Sequence, residues 1–298
     1  MVDFSMSRVG ADTAQLLTTD LQYIESQVIE AVRQKLVARN VFPTVKLADI
    51  GIKEWIAYSL TDMSQARIDM DGLNVSFDRT KKTAKSVAVP MIHKEYELLF
   101  RDIVASRRSG MPIDVSEPQN AAIQVAEEED KLLLSGEYTG WRALGIEGLA
   151  SATGRNTKAT AGAWSTATNS IKDVSDAIAK LEEDGHNGPY DLIVRSAYMA
   201  DLRLLIANTS TTALQVLTSS GFIRDIFVSD NLFAAAAATT SALVVEANPM
   251  NFVLGVGQEI SVYHFTDENM NTKGKVWEIA VPFIKRPTSI CEITGIAP

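Results

Sequence analysis

At 298 residues, with 46% apolar and 22% charged side chains and a formal net charge of −9, the chain has ample material for one large core or two connected ones, and disorder is excluded as its bulk state. The acidic balance argues against nucleic-acid binding through a clustered excess of Lys and Arg, leaving room only for a local patch, and the single cysteine, Cys291, excludes an internal disulfide and a paired-cysteine zinc site. No apolar run approaches the roughly 18 to 20 residues that span a bilayer, and residues 1–8 lack a basic segment followed by an apolar one, so a soluble protein made in the cytosol is expected.

Residues 1 to about 19 show little periodicity and read as an extended arm. Over 20–40, Leu21, Ile24, Val28, Val32 and Leu36 recur at helical spacing, which predicts one amphipathic helix with Asp20 as its N-cap. After Pro43 the chain turns β-rich. Strands are expected over 55–60 and 86–89, separated by a polar stretch over 62–78, with a further strand over 91–96. A two-stranded excursion of this kind is marginal alone in water and needs a partner. Its basic cluster, Arg79, Lys81, Lys82 and Lys85, reads as a solvated loop. A long helix is predicted over 116–134, capped by Asp114 or Ser116, with Pro118 in its first turn and the acidic run Glu127, Glu128, Glu129 and Asp130 on its solvated outer face.

Residues 151–170 are rich in Ala, Thr, Ser, Gly and Asn and predict a loop or linker into a second subdomain. There, 171–181 and 197–207 are helical and 191–194 is a short buried strand; strands over 243–246, 252–254, 260–265, 276–281 and 289–294 complete the chain. Such alternation gives an α/β or α+β fold.

No active site assembles from these residues. His93, His186 and His264 are far apart and match no metal-hydrolase or deaminase spacing. Asp69, Asp71 and Gly72 resemble the start of a calcium loop without its second half, which leaves a turn. Gly255 and Gly257 lack the third glycine and the following helix of a dinucleotide-binding loop, and Cys291 reads as a small hydrophobe in a strand. No catalytic, cofactor-binding or metal residue is assigned.

Taken in order, the elements resemble the major capsid proteins of tailed phages and archaeal viruses, and their cellular relatives the encapsulins, which share one fold. The segments 37–41, 145–148, 188–194 and 257–259 are similar to encapsulins. Segments 105–114 and 284–296, and the long stretch before the first helix, are similar to a phage capsid family. The resemblance implies an α+β tailed-phage major capsid fold: an N-terminal arm with an amphipathic helix over 1–44, an extended E-loop hairpin over 45–90, a peripheral domain with a long spine helix over 91–150 and 246–298, and an axial domain over 151–245. The expected function is a non-enzymatic shell protein. Many copies, as hexamers or pentamers, would close into an icosahedral virion capsid, assembled in the host cytoplasm around DNA that the protein hardly binds. The alternative is a cytoplasmic encapsulin-type compartment around a cargo enzyme, with the 20–40 helix offering a lumenal surface to a cargo peptide. Neither reading requires a cofactor, a metal or a membrane.

Overall fold

A computed structural model describes residues 16–60, 63–66, 68–71, 77–79, 82–136, 144–233, 240–268 and 270–296. Helix α1 (Thr18–Lys35) and the single turn α2 (Ala38–Val41) precede β1 (Thr44–Lys46), the hairpin strands β2 (Glu54–Leu60) and β3 (Lys82–Ala88), and β4 (Met91–Leu98). Helices α3 (Phe100–Ser109) and α4 (Ser116–Leu134) come next, followed by β5 (Asn156–Ala159), α5 (Ala167–Glu183), β6 (Tyr190–Val194), α6 (Ser196–Leu202), α7 (Ala213–Ser219), β7 (Ile223–Val228) and β8 (Thr240–Val245). The chain closes with β9 (Phe252–Thr266), β10 (Thr272–Ile284) and β11 (Ile290–Thr294).

Two sheets organise these elements. The first has the order β1-β9-β10-β4, built on a long antiparallel β9–β10 pair, with β4 antiparallel to β10 and β1 parallel to β9. Burial alternates along the first half of β10, where Thr272, Gly274 and Val276 face inward, and becomes continuous from Glu278 onward. That change of pattern marks the point where the sheet is covered on both faces. Val281 and Phe283 pack with Val125 and Leu132 of α4 and with Trp55 of the hairpin, while Ala280 and Ile284 join Leu133, Leu243 and Ile290. Helix α4 can lie this close because its buried face carries Ala121, Ala122 and Ala126, small residues that are also strong helix formers.

The second sheet has the order β5-β11-β8-β6-β7, with β6 buried along its whole length. The amphipathic helix α5 covers it through Val174, Ala177, Ile178 and Leu181. Leu133 and Leu134 at the end of α4, Leu243 and Val245 of β8, and Phe252 and Leu254 of β9 form a third cluster that joins the two sheets.

Several expectations change. The 20–40 helix is interrupted: α1 ends at Lys35, Leu36 is extended, and α2 starts at Ala38 because Asp130 accepts hydrogen bonds from the amides of Val37 (3.1 Å) and Ala38 (3.0 Å). A carboxylate from α4 thus caps a new helix start. Asp20 lies inside the first turn of α1 rather than at its N-cap, where it accepts from the amide of Leu17 at 3.0 Å and pairs with Arg107 at 3.1 Å.

The acidic run is only half solvated. Successive helical residues are rotated by about 100°, so four in a row cannot all face water on a packed helix. Glu127 and Glu128 point outward toward Lys35 and Lys131, whereas Glu129 and Asp130 are buried. In the basic cluster, Lys82 and Lys85 belong to β3 rather than to a loop, and Lys85 pairs with Glu147 at 2.9 Å. Lys81 lies outside the described residues, as do residues 1–15 of the expected arm.

Residues 151–170 are core structure, not a linker. They supply β5 and the fully buried Trp164, whose Nε1 donates to Asp173 at 2.9 Å and whose ring meets Tyr198 edge-on at 5.9 Å. The two strands expected over 252–254 and 260–265 are one strand, β9. Strand β11 sits between β5 and β8 in the second sheet and does not return to the first.

Candidate functional site

The apolar stripe of α1 is divided between two neighbours. Ile24, Val28 and Val32 are buried in the same cluster as Ala121, Ala122 and Val125 of α4, so the helix folds back onto its own subunit. One position further round, Ile29 stays 45% exposed and overlooks a groove between α1 and β9.

That groove has a volume of about 410 Å³, within the roughly 300 to 1,000 Å³ typical of ligand clefts. Ile29, Val32, Leu36 and Ile260 give it an apolar floor, and Arg33, Arg39 and Glu259 charge its rim. A second depression of about 160 Å³ shares Ile29 and Ile260 and continues toward Glu25 and Val262. Beside it, β1 pairs with β9 only as far as Val256, and from Gln258 onward the outer edge of β9 has no strand partner among the described residues. An amphipathic helix next to an unpaired strand edge, with apolar floor and charged rim, is the kind of surface that receives an extended peptide.

Behind the groove, Arg39 gathers carboxylates from three elements. Its Nε donates to Glu129 of α4 at 2.7 Å, Nη1 to Glu259 of β9 at 2.6 Å and Nη2 to Glu278 of β10 at 2.8 Å. Glu129 and Glu278 are completely buried, while the side chain of Glu259 is 67% exposed. The arrangement fixes α2 to α4 and to the first sheet. Sequence reasoning missed it because Arg39 and Glu278 are 239 positions apart and nothing local marks either one.

The three histidines lie on separate parts of the fold. His93, on β4, pairs with its neighbour Glu95 at 2.8 Å. His186 is buried after α5, with Nδ1 2.7 Å from Glu246 and Nε2 3.2 Å from the hydroxyl of Thr288, and so ties together the ends of three elements. His264 lies edge-on to Tyr96 at 5.7 Å, and burial lowers its pKa and raises that of the tyrosine. Asp69 accepts from the amide of Asp71 at 3.2 Å in a local turn; Gly72 falls outside the described residues. Gly255 lies within β9, where a Cβ would stand 2.9 Å from the ring of Trp55, so its glycine makes room for the hairpin. Cys291 is buried in β11, and burial pushes its thiol up to about 11, far from a reactive thiolate. Among the described residues no group of three or more potential metal ligands occurs, and no helix is long and apolar enough to cross a membrane.

Residues 6–280 match the Linocin_M18 family, described as the encapsulating protein for peroxidase. The chain belongs to this family. Among curated relatives, the type 1 encapsulin shell protein EncA of Myxococcus xanthus is 27% identical over 275 residues, covering 91% of each chain. Among solved structures, the virus-like particle from Pyrococcus furiosus matches with a TM-score of 0.68 and 16% identity, over 93% of this chain and 98% of that one. The capsid of Myoviridae phage XM1 matches with a TM-score of 0.67 and 11% identity, over 87% and 90%. The α+β architecture is therefore the tailed-phage major capsid fold, and the sequence likeness lies with the encapsulin branch of it.

Proposed function

We propose that this chain is the shell subunit of an encapsulin-type compartment, in which many copies close into an icosahedral shell in the cytoplasm and the groove beside α1 receives a peptide from an enclosed cargo protein. The observation that carries this reading is the fold-back of α1. A helix seated on its own α4 is not free to bridge neighbouring capsomers, and it leaves a formed groove on one side. Family membership favours the same branch. The subunit itself performs no catalysis and needs no cofactor; chemistry belongs to the cargo. The β2–β3 hairpin carries Ile56 and Tyr58 out of its own core, 56% and 58% exposed, and serves as the E-loop laid across a neighbouring copy. Interfaces of obligate assemblies bury about 2,000 Å² or more, which a projecting hairpin helps to reach.

Ile29→Glu tests the groove without touching the core, since the side chain is half in solvent. Covering the 45% of Ile29 still exposed is worth about 0.7–1.4 kcal/mol, roughly 3- to 10-fold in affinity, and a glutamate there adds the cost of burying a carboxylate against the apolar floor. The variant should form shells of normal size whose co-purifying cargo, quantified by mass spectrometry, falls by at least about tenfold. Shells with unchanged cargo content would remove the groove from the account.

A further inference from the structure

The cluster around Arg39 holds more negative charge than one guanidinium can neutralise. Glu129 and Glu278 each give one oxygen to Arg39, Oε1 and Oε2 respectively. The remaining oxygens, Oε2 of Glu129 and Oε1 of Glu278, are sealed from solvent and receive no donor among the described residues. Two buried carboxylates that share one guanidinium cannot both stay ionised when they are sealed from solvent and no second cation pairs with them among the described residues. Nor can two carboxylates hydrogen-bond to each other, whereas a carboxylic acid donates readily to a carboxylate.

We infer that Glu129 and Glu278 form a buried proton-binding site: an acid–carboxylate pair that holds one proton between its two otherwise unpartnered oxygens and thereby locks α2, α4, β9 and β10 around Arg39. With the proton in place, the pair carries one negative charge against the one positive charge of Arg39, and the buried cluster is neutral. Without it, an uncompensated negative charge is left in the interior.

The surrounding groups reinforce the need for the proton. On α4, the adjacent Asp130 adds a further carboxylate near Glu129 and Arg39, and burial raises its own pKa to about 6. From β9 comes Glu259, a further negative charge, and from α2 only Arg39; Arg33 of α1 stands across the groove on its solvent side. Burial shifts both pair members toward the acid form, and the neighbouring Glu129 charge pushes Glu278 further in the same direction.

The direction of the pH dependence follows from this. A carboxyl group that keeps its proton more tightly when folded contributes stability that is fully present at acidic pH. That stability declines as pH rises from the ordinary glutamate range, about 4.3, through the raised value. Over that window each retained proton makes the folding equilibrium fall by about tenfold per pH unit.

The test uses intact shells of the wild type and of Glu278→Gln, whose amide still donates to Glu129 without a titratable proton. At neutral pH, the infrared difference spectrum should show a protonated-carboxyl stretching band in the wild type that is missing from the variant. The wild-type denaturation midpoint should fall with rising pH more steeply than the variant's, and the two should converge toward acidic pH. A merely structural glutamate would move neither the band nor the difference in slope. Should Glu278→Gln not accumulate, Glu129→Gln removes the same shared proton and is read in the same way. Absence of any protonated-carboxyl band from wild-type shells at neutral pH, or identical spectra and parallel pH profiles for wild type and variant, would overturn the inference.

Discussion

Replacing Arg39 by alanine is expected to destabilise the subunit by about 3–5 kcal/mol, the cost typical of breaking a buried ion pair from one side. The variant strands Glu129 and Glu278, both fully buried, without the one cation that pairs with them among the described residues, and frees α2 from α4 and the first sheet. Lysine should restore only part of the loss. An ammonium carries its three donors on a single nitrogen and lacks the planar fork with which the guanidinium reaches three carboxylates from three nitrogens. Adding Glu129→Gln and Glu278→Gln to Arg39→Ala should recover most of the stability, because the penalty lies in the uncompensated charges rather than in lost contacts. Denaturation midpoints of the four proteins read this directly. An Arg39→Ala variant as stable as the wild type would mean that the cluster is not what joins these elements.

Trp164→Ala should be comparably severe, about 3–5 kcal/mol for emptying a large buried aromatic site. Trp164 is the largest fully buried side chain of the second cluster, and Asp173, which it donates to, also accepts from Thr160 at 2.6 Å and Ala161 at 2.7 Å. Trp164→Phe should keep most of the packing and lose chiefly the hydrogen bond to a charged acceptor, about 1.5–3 kcal/mol. If Trp164→Ala had no effect on the denaturation midpoint, residues 151–170 would be behaving as the linker that their composition suggests.

These two sites also mark where sequence reading reaches its limit. The extent of helix α4 was legible because first-turn proline and apolar period coincide within one segment, but its N-cap is Val115, without a side-chain cap, rather than Asp114 or Ser116; Asp114 instead accepts from the amide of Ser116 at 2.9 Å. In the first sheet, β4, β9 and β10 were legible as existing but not as long, and β1 was missed: Gly255, Gly257, Gln258 and Glu259 interrupt the apolar pattern of β9, although the backbone pairing with β10 continues past them. Helix α3 left little signal, since Ile103 is its one buried residue among three arginines. The burial of Glu129 and Asp130 could not be read locally at all. It depends on Arg39 and on the start of α2, about 90 positions away. For the candidate site, the amphipathic stripe of α1 was visible, but the groove needed β9 beside it, and no periodicity specifies which strand that will be.

The central claim, that the subunit builds a closed compartment for protein cargo, is tested most directly by the contents of particles purified from the native source. Electron microscopy with mass measurement, followed by nuclease treatment and mass spectrometry of the interior, gives both the shell and its filling. The account predicts closed megadalton shells with negligible nuclease-protected nucleic acid and one enzyme in bulk inside. Particles filled with protected DNA, or a stable monomer or dimer as the sole species, would contradict it.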